Sequence, residues 1–392
     1  MGQRAVLGRA RGLVRSVLGT HRRGHRRRAL ARDRRIMGGF AGLAAVSLTL
    51  VGWQVASALV PPDPEYVEIS VVPHKPGEVS IAIAGDTLFG DGAAAFIEAE
   101  GVEATMAGVA GMLQDADVAV VNIEAPITTL TEPLNPGAQF SYASSPESAA
   151  ALAAIGVDVL QLGNNHTMDR GVAGLVDTMT IAEEAGLVTV GAGTDRAQAA
   201  RPVLVRTDTL TIALVSFGED YGAAKRSGDG LPGMVPFSVD AVIAAERNAR
   251  RAGADRVVAL VHWGDNYSDV NDLQRYWAGE LVAAGYDAVV GSGPHVLNPV
   301  EIVDGVPVVY SLGNFVFGSP GRFAGFGRAG LGAVATVSFD ANGGTLALRC
   351  IRTDNMVVGY VPRECGADES AVAATDLQGG LVWTGPTGTL PF

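Results

Sequence analysis

The sequence predicts an α/β protein in which buried strands alternate with helices. Five continuous apolar runs of four to six residues are separated by longer connections, several with helical spacing, and each run ends in polar residues. Continuous apolar runs are typical of strands covered on both faces. Because the carboxyl ends of such strands converge on one rim of a sheet, we expect a ligand site at that rim.

The apolar runs and helices can be placed in chain order. The spacing of Val172, Leu175, Val176 and Met179, for example, predicts a helix at 171–185. We expect strands at 79–84, 118–121, 157–162, 257–261 and 287–290, and helices at about 104–113, 171–185, 239–251 and 273–284.

The remaining strands predict a second, largely antiparallel sheet. They are rich in β-branched residues and joined by turns such as Asp304-Gly305 and the segment 342–344, which are typical of hairpins. They lie at 202–205, 211–217, 300–303, 306–310, 333–339, 345–351 and 356–361. Two Gly-rich loops, 218–236 and 318–330, follow strands and either border the site or are simple solvent loops.

The amino-terminal segment has a different composition. Residues 1–35 contain twelve arginines, no lysine and one acid, Asp33, and residues 36–60 form an uncharged apolar stretch of 25 residues. About 20 such residues span a bilayer. We expect a cytoplasmic arm and a single-pass, uncleaved anchor in the plasma membrane, with the main domain outside. A cleaved signal peptide is the alternative.

The predicted domain boundaries follow from these segments. Residues 61–78 are Pro-rich and are interpreted as a linker with one edge strand at 66–72. The main domain covers 79–365, and we expect the polar, Gly-rich tail at 366–392 to be loosely ordered. Cys350 and Cys365 are exported in this scheme, which favours a disulfide over two free buried thiols.

Charge restricts the partners. After Arg35 the chain has 17 basic and 40 acidic residues, a net charge of about −23 with histidine neutral. Such a domain repels polyanions, so we expect no nucleic-acid partner, and the arginine arm fits a topology signal that also touches anionic lipid. An acidic substrate would require bridging cations or a local positive site.

The polar residues at the strand ends form a candidate metal site. The five runs deliver two carboxylates, a side-chain amide and three imidazoles, a mixture suited to Mn, Fe or Zn. These residues are Asp86, Glu124, Asn165, His166, His262 and His295. Asp169, three residues after His166, could orient its ring. Alternatively, Asn165 and Asp169 only shape the turn and cap the helix.

Taken together, these motifs make the sequence resemble the CapA family of bacterial capsule-synthesis proteins, whose domain is similar to the calcineurin-like metallophosphatases. The resemblance covers residues 79–317. It is carried by Gly85-Asp86, Asn122-Ile123-Glu124, Gly163-Asn164-Asn165-His166, His262-Trp263-Gly264, Pro294-His295-Val296 and Tyr310-Ser311-Leu312-Gly313-Asn314-Phe315.

The resemblance implies a four-layer α/β/β/α sandwich and assigns roles to the motif residues. Asp86 and Glu124 look like metal-bridging carboxylates, with Asn165 and His262 as ligands of one metal and His295 as a ligand of the other. His166 looks like a general acid held by Asp169. The resemblance also gives supporting positions around the ligands or the substrate to Asn122, Asn164, Trp263 and Asn314.

The sequence departs from the family pattern at the second metal. Gly293 stands where the family usually has a histidine, and Asn266 precedes Tyr267 where the family usually has a glutamate. Leu88 occupies the position of the second metallophosphatase histidine, which the family also lacks. We therefore expect one or two divalent ions rather than a fixed pair.

Three functions remain open from the sequence. The first is a metal-dependent hydrolase acting on a phosphoester or related bond of an anionic envelope polymer or its precursor, such as poly-γ-glutamate. The second is a non-catalytic polymer-binding or assembly subunit with a degenerate metal site. The family resemblance suggests that either would work with a membrane synthase and export complex. The third is an exported domain whose polar strand ends only cap helices.

Overall fold

Two β-sheets form the centre of the protein, which a computed structural model describes over residues 64–392. The strands are β1 (Val67–Ser70), β2 (Val79–Leu88), β3 (Val118–Ile123), β4 (Val159–Gln161), β5 (Val188–Val190), β6 (Ala192–Gly193), β7 (Val203–Arg206), β8 (Thr211–Gly218), β9 (Gly233–Met234), β10 (Arg256–His262), β11 (Ala288–Ser292), β12 (Leu297–Val303), β13 (Val306–Leu312), β14 (Asn314–Phe317), β15 (Leu331–Phe339), β16 (Gly344–Arg352), β17 (Arg363–Glu364), β18 (Val382–Thr384) and β19 (Thr387–Pro391).

Helices occupy the connections between strands. They are α1 (Ala94–Glu100), α2 (Gly111–Gln114), α3 (Glu147–Ala154), α4 (Gly171–Glu184), α5 (Arg196–Ala199), α6 (Val239–Arg251), α7 (Asp272–Ala284), α8 (Asn355–Val358) and α9 (Ala367–Leu377), with short 3₁₀ turns at Asp91–Ala93, Glu103–Met106 and Phe323–Phe326. The helices predicted at 171–185, 239–251 and 273–284 are confirmed as α4, α6 and α7.

Both sheets are mixed. Sheet I has the order β1-β7-β8-β10-β11-β13-β12, and sheet II has the order β18-β19-β16-β15-β2-β3-β4-β5, with β14 beside β2 and β17 beside β16. The strands β8, β10, β11 and β13 run parallel in sheet I, as do β2, β3, β4 and β5 in sheet II. A short separate pair joins β6 to β9.

The alternation of side chains along each strand produces four layers. In β2, Ile81 and Ile83 point into a core shared with sheet I, whereas Ala82 and Ala84 point to the helices outside. In β10, Leu260 likewise faces the shared core. Because successive strand residues face opposite sides, each sheet buries one face on the other sheet and one face on helices.

Local capping fixes the helices that cover sheet I. The Ser238 side chain accepts a hydrogen bond from the Ala241 amide at the start of α6. At α7, Asn271 and Gln274 form a reciprocal capping box, and Gly285 ends the helix in the left-handed region with φ +103°. These residues satisfy amides and carbonyls that a helix end leaves unpaired.

The predicted division of strands between sheets is wrong. The strands at 79–84, 118–121 and 157–162 lie in sheet II, whereas those at 257–261 and 287–290 lie in sheet I. The expected separate antiparallel sheet does not form in residues 64–392, because β8 and β13 join sheet I and β15 and β16 join sheet II. Both sheets are covered on both faces, so an apolar run does not reveal its sheet.

Three local predictions are also wrong. The expected strand at 356–361 begins instead with α8, because the Asp354 side chain caps it by accepting from the Met356 amide. The expected helix at 104–113 is divided into a 3₁₀ turn and α2 around Gly108, which packs closely on the Pro362 carbonyl. The tail is ordered, since α9 buries Ala373 and Leu377 and β19 pairs with β16.

The segment before the core contributes an edge strand, as predicted at 66–72. This strand, β1, pairs in parallel with β7. The expected arm at 1–35 and transmembrane segment at 36–60 lie outside the described residues. Within residues 64–392, no helix has the length and apolar character that crossing a membrane requires.

The predicted disulfide is confirmed. Cys350 and Cys365 are bonded across a separation of 15 residues, and both are buried. The bond joins β16 to the residue that follows β17, and so fixes to sheet II the point at which the tail begins.

Removing this bond should weaken the fold. We expect the double variant Cys350→Ala/Cys365→Ala to lose about 2–4 kcal/mol of unfolding free energy, because closing a loop of this length restricts the unfolded chain. Urea unfolding followed by tryptophan fluorescence measures the change. Wild-type protein with the bond reduced should match the variant, and equal stability of oxidised wild type and variant would contradict the prediction.

Candidate metal centre

The site lies where strand ends from both sheets meet. Sheet II supplies Asp86 within β2 and Glu124 directly after β3, and sheet I supplies His262 at the end of β10. His295 follows β11 with φ +62°, a conformation uncommon for a residue with a side chain. The rim predicted from the sequence is therefore shared by two facing sheets.

Asp86, Glu124 and His295 form the centre of the site. One ligand atom from each lies within 4.8 Å of the other two, and all three residues are buried. The His295 Nδ1 atom is 3.1 Å from Asp86 Oδ2 and 3.8 Å from Glu124 Oε2. Asn314 Oδ1 lies 2.9 Å from the same nitrogen.

His262 closes the cluster on the sheet I side. Its Nδ1 is 3.6 Å from Asp86 Oδ1, and its Nε2 is 3.6 Å from Glu124 Oε1. The Asn122 side-chain amide donates to Asp86 Oδ1 at 2.8 Å and lies 3.1 Å from His262 Nδ1. Asn122 thus fixes a carboxylate from one sheet and an imidazole from the other.

Asn164 is a structural link between neighbouring strand ends. Its side-chain amide donates to Asn122 Oδ1 at 3.0 Å and to the Ile123 carbonyl at 2.8 Å. Its own Oδ1 accepts from the His166 amide at 3.0 Å. These bonds fix the turn that carries Asn165 and His166.

His166 and Asp169 form a hydrogen-bonded pair beside the cluster. His166 Nδ1 is 2.6 Å from Asp169 Oδ2, and His166 Nε2 is 3.9 Å from Glu124 Oε1. Asp169 Oδ2 also accepts from the Tyr142 amide at 2.8 Å. Asp169 therefore orients the ring so that Nε2 faces the carboxylates.

The unpaired polar atoms of this site fit a divalent cation. Both oxygens of the buried Glu124 carboxylate, and the buried Asn165 Oδ1, have no hydrogen-bond partner among the described residues. A buried carboxylate without a partner is costly, and a cation bound by carboxylate, amide and imidazole would remove that cost. The residues present therefore fit Mn, Fe or Zn.

The two carboxylates of the site have pKa values shifted in opposite directions. Burial raises the pKa of Glu124 well above its usual range, and the charges of Asp86 and Asp169 raise it further. Burial also acts to raise the pKa of Asp86, but His295 and His262 outweigh it, so that pKa lies below its usual value. Asp86 is thus the carboxylate that stays ionised without a cation.

Gly293 excludes the histidine that the family resemblance implies at this position. Its φ is +117°, and a Cβ atom there would lie 2.4 Å from the Trp263 carbonyl oxygen. Its amide donates to Asp86 Oδ2 at 3.1 Å. The position orients a carboxylate through the backbone and has no room for a side chain.

Trp263 lies away from the cluster. Its ring stacks on Phe237 and Tyr310 in the core between sheet I and its helices, and its indole N–H donates to the Tyr310 carbonyl at 2.8 Å. The structure therefore places the Trp263 side chain in the core, and not beside the ligands or the substrate as expected.

Sequence reasoning missed the aromatic and cationic residues around the cluster. The Tyr142 ring is 4.6 Å from that of His166, and Phe317 and Tyr267 lie 4.8 and 5.7 Å from His295. Tyr142 comes from an irregular segment distant in sequence from His166, so no local pattern identified it. Tyr267 stands at the family position noted above, but its contact with His295, 28 residues further on, depends on the fold.

Both Gly-rich loops border the site. In loop 218–236, the Tyr221 hydroxyl donates to the His262 carbonyl at 2.9 Å, and the Lys225 ammonium donates to the Asn165 carbonyl. Lys225 Nζ also lies 3.8 Å from Asp169 Oδ1. Loop 318–330 places Arg322 over the Tyr267 ring at 5.7 Å. Loop 218–236 therefore contacts predicted site residues directly, and loop 318–330 contacts the aromatic neighbour of His295.

Fold and site define a two-sheet α/β protein with a buried Asp/Glu/His cluster able to hold a metal ion. Residues 80–319 match the family described as bacterial capsule synthesis protein PGA_cap. The match covers more than half of the chain, and the protein belongs to this family.

Individual relatives agree with this family. The chain is 32% identical to the PGA biosynthesis protein CapA of Bacillus subtilis over 61% of this chain and 63% of the relative. It is 28% identical to the capsule biosynthesis protein CapA of Bacillus anthracis over 70% of this chain and 66% of the relative. The chain thus spans slightly less than two thirds of the length of each.

A solved structure shows a distant similarity. The NAD nucleotidase of Haemophilus influenzae is 13% identical, with a TM-score of 0.38 over 78% of this chain and 56% of that one. A TM-score this far below 0.5 carries no conclusion about function.

Replacing Gly293 should destabilise the protein without adding a ligand. We expect Gly293→His and Gly293→Ala each to lose about 2 kcal/mol or more of unfolding free energy, because both combine an unfavourable φ with a backbone clash. Gly222→Ala is the matched control, since its φ is +99° but its added Cβ would meet nothing within 4 Å. A Gly293→His variant that is as stable as wild type and binds an extra ion would contradict the prediction.

His262 should make the metal-free protein less stable in mild acid. Burial lowers its pKa from 6.5 to about 4; the Asp86 charge opposes this shift, and His295 and His166 reinforce it. The unfolded chain therefore binds a proton where the folded protein does not. Above pH 6.5 this difference should not affect stability. As the pH falls towards 4, protonation of His262 in the unfolded chain should lower the unfolding free energy by up to about 3 kcal/mol.

Urea unfolding in EDTA between pH 4.5 and 7.5 measures this effect. The stability of wild type relative to His262→Asn should decrease as the pH falls. A difference that stays constant across this range would show that His262 is not held neutral by burial.

Proposed function

We propose that the protein is a metal-dependent hydrolase of the metallophosphatase type that acts on a phosphoester or related bond during synthesis of an anionic envelope polymer. The observation that carries this proposal is the unpaired Glu124 carboxylate, buried beside Asp86, His262 and His295. Family membership supports the capsule setting, and poly-γ-glutamate is the polymer that the family points to. The four-layer arrangement supports the metallophosphatase type.

The cation would be held by residues from both sheets. Asp86, Glu124, Asn165, His262 and His295 would supply the oxygen and nitrogen ligands. The chemistry that a divalent ion would supply there is Lewis-acid activation of a phosphoryl or carbonyl oxygen and of water. His262 would take part as a neutral imidazole, the form in which histidine binds metals and the form that its lowered pKa favours.

His166 would deliver a proton to the leaving group. Its Nε2 faces the carboxylates, and 13% of its side chain is exposed, so a substrate can reach it. Asp169 positions the ring through Nδ1, which leaves Nε2 directed at the substrate side. Lys225, 3.8 Å from Asp169, adds positive charge at the same edge of the site.

The amino-terminal sequence supports a location for the reaction. We propose that residues 36–60 anchor the chain in the plasma membrane and that the main domain lies outside. The Cys350–Cys365 bond agrees with an oxidising compartment. A membrane synthase and export complex that makes the polymer is the partner we propose.

A polymer-binding subunit without catalysis is the second candidate. Gly293 favours it, because the backbone there excludes the histidine that would complete a second metal site. In this case any cation would bridge the acidic domain to an acidic polymer.

Three variants separate binding of metal from catalysis. Elemental mass spectrometry on the purified full-length protein should show one or two ions, lost in Glu124→Gln. His166→Asn should keep the metal and lower hydrolysis of p-nitrophenyl phosphate or bis-p-nitrophenyl phosphate about 100-fold or more, because it removes the proton donor. Asp158→Asn, at the amino end of β4, is the control and should change neither.

The outcomes distinguish the two candidates. Wild-type protein that holds no ion after loading with Mn, Fe or Zn would overturn the hydrolase proposal and favour the polymer-binding subunit. Full hydrolysis by His166→Asn would remove His166 from the mechanism. Bound metal with no hydrolysis of either ester would also favour the second candidate.

A further inference from the structure

Two aromatic rings hold the Arg322 guanidinium beside the metal centre. Its Cζ atom is 4.5 Å from the centroid of Phe140 and 5.7 Å from that of Tyr267. Arg322 belongs to loop 318–330 and directly precedes the 3₁₀ turn at Phe323–Phe326. Contacts of this kind fix a guanidinium through its faces and leave N–H groups at its edges.

The two rings lead to different histidines of the cluster. Phe140 stacks on Tyr142 at 6.2 Å, and the Tyr142 ring is 4.6 Å from His166. On the other side, the Tyr267 ring is 5.7 Å from His295. Arg322 therefore stands between the residues that contact the proposed acid and those that contact a proposed ligand.

Among the residues that the structure describes, no carboxylate forms an ion pair with Arg322. Two other arginines that lie over aromatic rings do have one: Arg256 is paired with Asp287 and Arg275 with Glu301. In a strongly acidic domain, a guanidinium held in place beside the site without a carboxylate is available to an external anion.

The other cation at the border is already engaged. The Lys225 ammonium donates to the Asn165 carbonyl and lies close to Asp169. Arg322 instead interacts with the Tyr267 phenol. Burial raises the pKa of Tyr267, the charge of Arg322 and a hydrogen bond between the two side chains oppose that shift, and the charges of Glu124 and Asp86 add to it. One edge of the guanidinium is therefore directed at the phenol, and its remaining N–H groups are the ones that can meet an anion. The phenol thus lies within the fields of both the guanidinium and the carboxylates.

We propose that Arg322 binds an oxyanion of the substrate, a carboxylate or phosphoryl group, next to the bond that the metal centre would hydrolyse. This assignment rests on the proposed function. A planar guanidinium matches either oxyanion through two parallel N–H···O bonds, which a lysine cannot reproduce. Arg322 would thereby select an anionic substrate in a domain whose net charge otherwise repels one.

Isothermal titration calorimetry with inorganic phosphate and with glutarate tests the proposal on the full-length protein, in Mn²⁺ and in EDTA. We expect Arg322→Gln to weaken binding of at least one anion about tenfold or more, and Arg322→Lys to weaken it by about threefold. Arg256→Gln is the matched control. It also removes an arginine that lies over a ring, but Arg256 is at the start of β10 whereas the site residue His262 is at its end. This variant should bind both anions within about twofold of wild type.

Each outcome decides a separate point. Loss of phosphate binding alone identifies a phosphoryl group, and loss of glutarate binding alone identifies a carboxylate; both support the proposal. Binding by Arg322→Gln within twofold of wild type for both anions overturns it, as does wild type that binds neither. If Arg322→Gln does not fold, Arg322→Lys decides by the same comparison. Anion binding that depends on Arg322 in a protein without metal would overturn the hydrolase but leave this site standing.

Discussion

Two carboxylates buried together between the edges of two sheets are the constraint on which the site depends. Asp86 and Glu124 are fully shielded from water, yet only Asp86 receives hydrogen bonds, from Asn122 and from the Gly293 amide. Like charges at close range in a medium of low dielectric repel strongly. A bound cation would resolve this repulsion. Without one, the hydrogen bonds from Asn122, the Gly293 amide and His295 favour the charge on Asp86, and burial favours the neutral form of Glu124.

The approach of the sheets at this point requires small residues. A Cβ atom at Gly85 would lie 2.0 Å from the Gly313 carbonyl oxygen, and one at Gly163 would lie 2.4 Å from the Ser216 hydroxyl. Side chains at either position would force the strand ends apart. The glycines in the family motifs thus have a packing role: they allow ligands from sheet I and sheet II to face one centre.

The border of the site differs in chemistry from its centre. The carboxylates and imidazoles come from strand ends within a rigid core, whereas Tyr142, Tyr267, Lys225 and Arg322 come from irregular segments. Sites commonly combine a rigid scaffold with loops that select the substrate. In this acidic protein an anionic polymer would require local positive charge, and Arg322 is the loop cation that would supply it, because Lys225 is engaged by Asn165 and Asp169.

Periodicity and helix capping are local properties of the chain, so the α/β class and the helices α4, α6 and α7 could be predicted from the residues alone. The sheet that each strand joins could not be predicted, since strands covered on both faces have the same apolar pattern in either sheet. The folded structure also places Trp263 in the core, leaves no room for a histidine at Gly293, and stacks Arg322 on the rings of Phe140 and Tyr267. Those facts depend on contacts between residues far apart in sequence, which no local pattern encodes.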